Sequence, residues 1–230
     1  MKKIIATLLL TTFSAHADMN DEPLLFSFAA EELEYRRGTG DGVVTWDAKA
    51  WLGTTRDRVF LRSEGEADSD EIEELETTLV WSHAVSPFWN LNLGWRGDWQ
   101  PERRRNWFAA EMEGLAPGFI ETRLSVLAGS RGRWAARLEL ETEWKLSRTW
   151  ELKPSLEMDW RDEADPANGL GDGLTETELG LRLHYKIRPD LSPYLGYSVT
   201  RLSGETARNA RVAGQRGRKR EVVAGLSFWF

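Results

Sequence analysis

The chain of 230 residues is 41% hydrophobic and 11% aromatic, with 12 tryptophans, no cysteine, 37 acidic against 30 basic residues and a mean hydropathy of −0.49. Zero cysteine excludes disulfide scaffolds, zinc knuckles, thiol catalysis and thiolate copper sites, and no apolar run reaches the ~18 residues of a helical membrane span. A net charge of −7 argues against nucleic acid as a partner, and the aromatic content argues against disorder.

The N-terminus reads as an export signal. Lys2 and Lys3 give a positive start, Ile4 to Phe13 an apolar stretch, and Ala15-His16-Ala17 the small-x-small form of a cleavage site. That stretch is too short to cross a bilayer. A signal peptide over 1–17 and one exported domain over 18–230 are expected.

Beyond Pro23 the apolar residues recur at every second position, the period of a strand. Twelve such runs follow in order, at 24–36, 43–53, 57–66, 71–82, 88–99, 106–115, 118–129, 133–146, 150–162, 173–187, 193–203 and 220–230. In the eighth, Trp134, Ala136, Leu138, Leu140, Thr142 and Trp144 alternate with Ala135, Arg137, Glu139, Glu141 and Glu143. In the ninth, Trp150, Leu152, Leu156, Met158 and Trp160 alternate with Glu151, Lys153, Glu157, Asp159 and Arg161. Glu31, Glu73 and Arg201 break the parity of their runs and require strand ends to accommodate them.

The connections alternate as well. Thr54–Asp57, His83–Pro87, Leu115–Gly118, Ser147–Thr149 and Arg188–Ser192 are tight, whereas Asp98–Arg105, Asp162–Asp172 and Ser203–Lys219 are long. Short turns at one end and long loops at the other predict an all-β fold, an antiparallel transmembrane β-barrel with periplasmic turns and extracellular loops. A secreted β-sandwich also makes one apolar face, and three features favour the barrel. Trp134 and Trp144, like Trp150 and Trp160, stand ten residues apart on one parity, a rise of about 25 Å on a tilted strand, the height of a barrel's apolar band. Across the hairpin at 147–149, Lys145 can face Glu151, Glu143 Lys153, and Arg137 Asp159. The chain closes on Leu226, Phe228 and Phe230 with one parity, in the manner of a terminal barrel strand.

The opposite parity then faces a lumen. It carries roughly 20 carboxylates against roughly 11 Lys and Arg, because strand-borne charges facing hydrocarbon cost ~2–4 kcal/mol for Arg or Lys at the midplane. Ionic character follows from that cost, but an acidic excess does not, and the excess would concentrate cations. Glu139, Glu141, Glu143, Glu157 and Asp159 form the densest wall, extended by Glu111 with Glu113, Glu176 with Glu178, and Glu121. Such a wall serves either as a salt-bridge lattice that stiffens the barrel or as a set of metal ligands. Carboxylates hold soft and borderline metals weakly unless imidazole joins them. His184, on the lumenal parity beside Glu176, Glu178 and Arg182, is the best single ligand, while His83 is placed in a turn. Met112 and Met158 share the lipid-facing parity. No Ser–His pairing or oxyanion hole suggests hydrolysis, so no enzyme is expected. Gly169 to Gly173 reads as a turn, and Asp162, Asp165, Asn168 and Asp172 miss the calcium-loop spacing. Arg103-Arg104-Arg105 and Arg208, Arg211, Arg216, Arg218, Lys219 and Arg220 make basic patches at the long-loop end, suited to lipopolysaccharide phosphates or simply to solvent.

Several stretches resemble the copper resistance protein B family, the outer-membrane component of bacterial copper-resistance systems. They are Glu22-Pro23-Leu24-Leu25, Trp46 to Gly53, Ser63-Glu64-Gly65-Glu66, Ser86-Pro87-Phe88-Trp89, Gly94-Trp95-Arg96, Gly114-Leu115-Ala116-Pro117, Gly180 to Leu183 and Val223 to Phe230. The resemblance implies a β-barrel in the Gram-negative outer membrane with an electronegative funnel, copper binding, and a periplasmic multicopper oxidase as neighbour. It supplies no ligand for a given position. Family precursors commonly carry a Met- and His-rich segment before the barrel, and here only Asp18 to Pro23 intervene.

Overall fold

The computed structural model describes residues 22–38, 42–68, 71–100, 103–166 and 169–230. The expected signal peptide, Met19 and Asn168 lie outside them.

The strands are β1 (Leu25–Arg37), β2 (Val43–Gly53), β3 (Asp57–Ala67), β4 (Ile72–Ser86), β5 (Trp89–Gln100), β6 (Arg103–Ala116), β7 (Ile120–Gly129), β8 (Trp134–Thr142), β9 (Trp144–Lys145), β10 (Trp150–Arg161), β11 (Gly173–Tyr185), β12 (Leu191–Leu202) and β13 (Arg218–Trp229). Both β8 and β9 pair with β10, so they form one stave interrupted at Glu143, and the wall has twelve staves. Each stave pairs antiparallel with the next, and β13 returns to β1 with Ala29 opposite Trp229 and Arg37 opposite Val222. Closure leaves no sheet edge, which is what allows strands to cross a membrane with every backbone group satisfied. No helix among the described residues is long and apolar enough to cross one.

The pleat sorts the side chains as the alternation requires. Leu33, Leu61, Leu79, Leu124, Leu179, Leu181, Leu195 and Val222 are exposed on the outer face. Their neighbours Glu34, Arg62, Thr78, Ser125, Arg182, Tyr194 and Val223 are buried. Aromatic rings mark both rims. Trp134 packs on Trp160 at 4.2 Å and Trp95 near Trp99 at 6.4 Å at the loop end, while Trp150 packs on Tyr185 at 4.9 Å at the turn end. Rings with an apolar body and a polar edge favour these water interfaces. At the turn end Phe28 also lies 5.2 Å from Phe230, which ties the last residue to the first strand.

Several details depart from expectation. Residues 98–105 are mostly strand, as β5 runs to Gln100 and β6 resumes at Arg103. His83 lies inside β4 rather than in a turn, its Nδ1 2.8 Å from Asp57 Oδ1. Glu31 sits in mid-strand and not at an end. The pairing with β2 slips between Ala30 and Glu32, so Ser27, Ala29 and Glu31 face inward before the bulge and Glu32, Glu34 and Arg36 after it. A bulge that places two residues opposite one flips the parity in this way. Glu73 and Arg201 do lie near strand ends.

The long connection 203–217 contains a helix, α1 (Gly204–Val212). Its Thr206, Ala207 and Ala210 are buried on one side, with Glu205 in the first turn and Arg211 in the last, the charge order that suits a helix dipole. Thr206 Oγ1 accepts the N–H of Gly171 at 2.8 Å, and Asn209 Nδ2 donates to Gly169 O at 3.1 Å. The helix is thereby docked on the loop between β10 and β11.

A candidate cation-binding lumen

One part of the interior is filled. Phe60, Val80, Gly94, Ala109, Leu127 and Ala135 are cross-strand partners in succession from β3 to β8, an apolar row climbing the inner wall. Gly94 is required in that row, because a Cβ there would come within 2.1 Å of Leu79 O. Beside it Arg62 donates from Nη1 to Glu111 at 3.2 Å with both side chains about 3% exposed, and Asn92 and Ser125 add hydrogen bonds to the same carboxylate. Trp107 Nε1 donates to Asp98 Oδ2 at 2.7 Å. These groups thicken one wall.

The remaining space is a cavity of about 1060 Å³ that touches residues near both rims, from Pro87 and Trp89 at the turn end to Leu170 and Glu176 at the loop end. Sixteen carboxylates and eight Lys or Arg line it, a twofold acidic excess. Most of these charges are paired, and several pairs cross the bore. Arg137 on β8 reaches Asp159 (2.9 Å) and Glu157 (3.2 Å) on the neighbouring β10, and also Glu76 (2.9 Å) on β4 and Glu64 (3.2 Å) on β3. Arg123 joins Glu139 and Glu64. On the other side Arg182 binds Glu34 at 2.5 Å and Glu32 at 2.9 Å, and Arg36 binds Glu178 at 3.0 Å. The predicted pairs Glu143–Lys153 (2.9 Å) and Arg137–Asp159 form. Lys145 does stand opposite Glu151, but the Glu151 carboxylate binds Lys186 at 2.6 Å.

The residues favoured as metal ligands from the sequence, His184, Glu178, Glu176, Glu139, Glu141, Glu157, Glu111 and Glu121, are distributed over the wall and do not form one centre. Glu139, Glu157 and Glu178 are direct cross-strand neighbours on β8, β10 and β11, and Glu121 stands opposite Glu141. Each of Glu139, Glu141, Glu157, Glu178 and Glu111 carries a basic partner. Glu176 is eight residues from His184 on the same strand, roughly 26 Å at the ~3.3 Å rise of a strand. Among the described residues no group of three His, Asp or Glu is arranged to hold a metal ion.

Four cavity-lining carboxylates, Asp47, Glu66, Glu121 and Glu176, have neither an ion pair nor a side-chain hydrogen bond among the described residues. Asp47 and Glu66 carried no signal that distinguished them in sequence from paired lumenal acids. His184 is buried near the turn end, its ring stacked on Tyr194 at 4.4 Å. Tyr194 in turn occupies the space over Gly225, where a Cβ would meet its ring at 2.5 Å. His184 stands opposite Glu151, and both His184 Nε2 and Glu151 Oε2 are buried without a hydrogen-bond partner.

The model of the copper resistance protein B precursor (CopB) family matches residues 24–230. The chain belongs to this family. Copper resistance protein B of Escherichia coli is 35% identical over 212 residues, 92% of this chain and 72% of that protein. The copper resistance protein B homolog of Pseudomonas syringae pv. tomato is 34% identical over 220 residues, covering 96% and 74%. Among solved structures the NanC porin aligns with a TM-score of 0.57 at 13% identity, covering 89% of this chain and 99% of that one, a likeness of fold. As a member of this family, the chain is an outer-membrane-type barrel of the Gram-negative envelope, with its apolar belt toward lipid and its carboxylates toward the bore.

Proposed function

We propose that this barrel binds copper ions in its acidic lumen and sequesters them or lets them pass, and so contributes to copper resistance. The observation that carries the reading is the set of unpaired carboxylates strung along the cavity. Glu66 and Glu176 lie toward the loop end, Asp47 lies in mid-wall, and Glu121 lies toward the turn end. Isolated carboxylates are weak ligands for copper, and a path of weak successive sites suits a cation that must leave as well as enter. Buried His184 Nε2 with Glu151 Oε2 offers the one imidazole-containing stop on the lumenal wall among the described residues. Copper is cargo in this reading, and the protein does no chemistry on it. Delivery to a periplasmic multicopper oxidase fits a cavity that reaches Pro87 and Trp89 at the turn end.

Copper titration of the purified barrel by calorimetry tests this. Replacing Asp47→Asn, Glu121→Gln, Glu176→Gln and His184→Ala together is expected to weaken copper binding at least tenfold, and unchanged binding would dispose of the reading. A second reading, a small-solute or structural barrel without specific metal binding, is favoured by the ion pairs that Arg137 makes across the bore. It predicts no preference for copper over potassium in the same titration.

A further inference from the structure

The outer face carries a basic cluster that the lumen does not explain. On β12 the parity of exposed Leu195 and Tyr197 continues through Val199 to Arg201. On β13 the parity of Val222 continues to Arg220 and Arg218, and on β1 that of Leu33 and Tyr35 continues to Arg37. These strands are adjacent. Arg201 stands directly opposite Arg218, Arg220 opposite Val199, and Arg37 opposite Val222. Directly opposed side chains lie about 5 Å apart and diagonal ones about 7–8 Å. Four guanidinium groups therefore gather on one patch of the lipid-facing surface at its loop-end rim, just beyond the exposed Tyr35, Tyr197 and Val222.

Like charges so close on a sheet repel unless something between them is negative. The nearby acids, Glu34 on β1, Glu221 on β13 and Glu178 on the adjoining β11, lie on the opposite, lumenal parity. Glu205 of α1 is taken by Arg208 at 3.6 Å. None of Arg37, Arg201, Arg218 and Arg220 has an ion pair or side-chain hydrogen bond among the described residues. In the lumen, by contrast, Arg36, Arg62, Arg96, Arg123, Arg137 and Arg182 each hold at least one carboxylate, with cavity-lining Arg161 an exception among the described residues. Position supplies the missing partner: a side chain that leaves an apolar belt at the outer rim meets the headgroups of the outer leaflet. Arginine forks match phosphate oxygens two at a time.

We infer that Arg37, Arg201, Arg218 and Arg220 form a binding site for a phosphorylated glycolipid of the outer leaflet. Its phosphates bridge the four guanidinium groups, and its acyl chains lie along Tyr35, Tyr197 and Val222. The site holds one lipid against the β12–β13–β1 sector, the sector that closes the barrel.

The test uses the full barrel in detergent micelles doped with bisphosphorylated lipid A, with bound lipid counted by native mass spectrometry. Lipid A is expected to stay with the unaltered protein. Its apparent affinity should fall at least tenfold in R37Q/R201Q/R218Q/R220Q, and at least tenfold when dephosphorylated lipid A replaces the bisphosphate. Heat-modifiable gel mobility reports whether each variant folds. Should the fourfold variant fail to fold, the pair R201Q/R218Q should still lose affinity severalfold. The charge-matched control R131Q/R133Q, on the same rim but in the β7–β8 connection, should leave it in place. Undiminished binding in the folded R201Q/R218Q variant, or equal retention of the dephosphorylated lipid, overturns the inference. So does competition by millimolar inorganic phosphate, which would mark a simple anion site.

Discussion

Arg62 and Arg137 show how the same residue type acts in two settings. Arg62 and Glu111 are both about 3% exposed and lie inside the filled wall. Removing one member of a buried pair strands the other's charge, so Arg62→Ala should destabilise the barrel by about 3–5 kcal/mol, read as a lowered urea midpoint in lipid vesicles. The double variant Arg62→Met with Glu111→Leu should recover most of that loss, since no charge is then left alone. A double variant as unstable as Arg62→Ala would show that packing and not charge dominates there. Which ion pairs form was legible only between neighbouring runs. Arg137–Asp159 and Glu143–Lys153 follow from one hairpin register. Arg62–Glu111, Arg137–Glu64 and Arg182–Glu34 join strands three or more staves apart, and only closure and curvature bring them together. Glu31 looked out of place because a bulge, which no composition rule announces, switches the parity of β1 at that point.

At the scale of elements, the strands were legible because a strand with lipid on one side and charge on the other tolerates no mixed parity. Helix α1 was not. Its arginines dominate the segment and read as a solvated basic loop, while the signal that could have revealed it is slight: Thr206, Ala207 and Ala210 on one face between an early acid and a late base. Its docking rests on few contacts. Thr206→Val removes the acceptor for the Gly171 N–H, a hydrogen bond worth about 0.5–1.5 kcal/mol. Amide exchange over 204–212 should therefore quicken severalfold in that variant while exchange in β12 and β13 stays unchanged. Equal exchange in the variant and the unaltered protein would mean that the helix is held by other contacts.

For the whole molecule, closure into twelve staves leaves an intermediate bore, wider than a barrel plugged by its own side chains and narrower than a general porin channel. Arg137 narrows it further by joining β8 to β3 and β4. Arg137→Gln should release that cross-link and raise single-channel conductance severalfold, and conductance equal to the unaltered protein would place the constriction elsewhere. A spin label at Leu179, exposed on the outer face, should respond to oxygen dissolved in acyl chains and not to a water-borne relaxing agent; the reverse would turn the barrel inside out. The proposed copper handling rests on a cation-selective acidic bore. Reversal potential across a planar bilayer under a salt gradient tests that claim most directly, comparing the unaltered barrel with D47N/E121Q/E176Q. A clear cation preference that shrinks in the triple variant is the predicted result; an anion-preferring or charge-indifferent current, the same in both proteins, would contradict it.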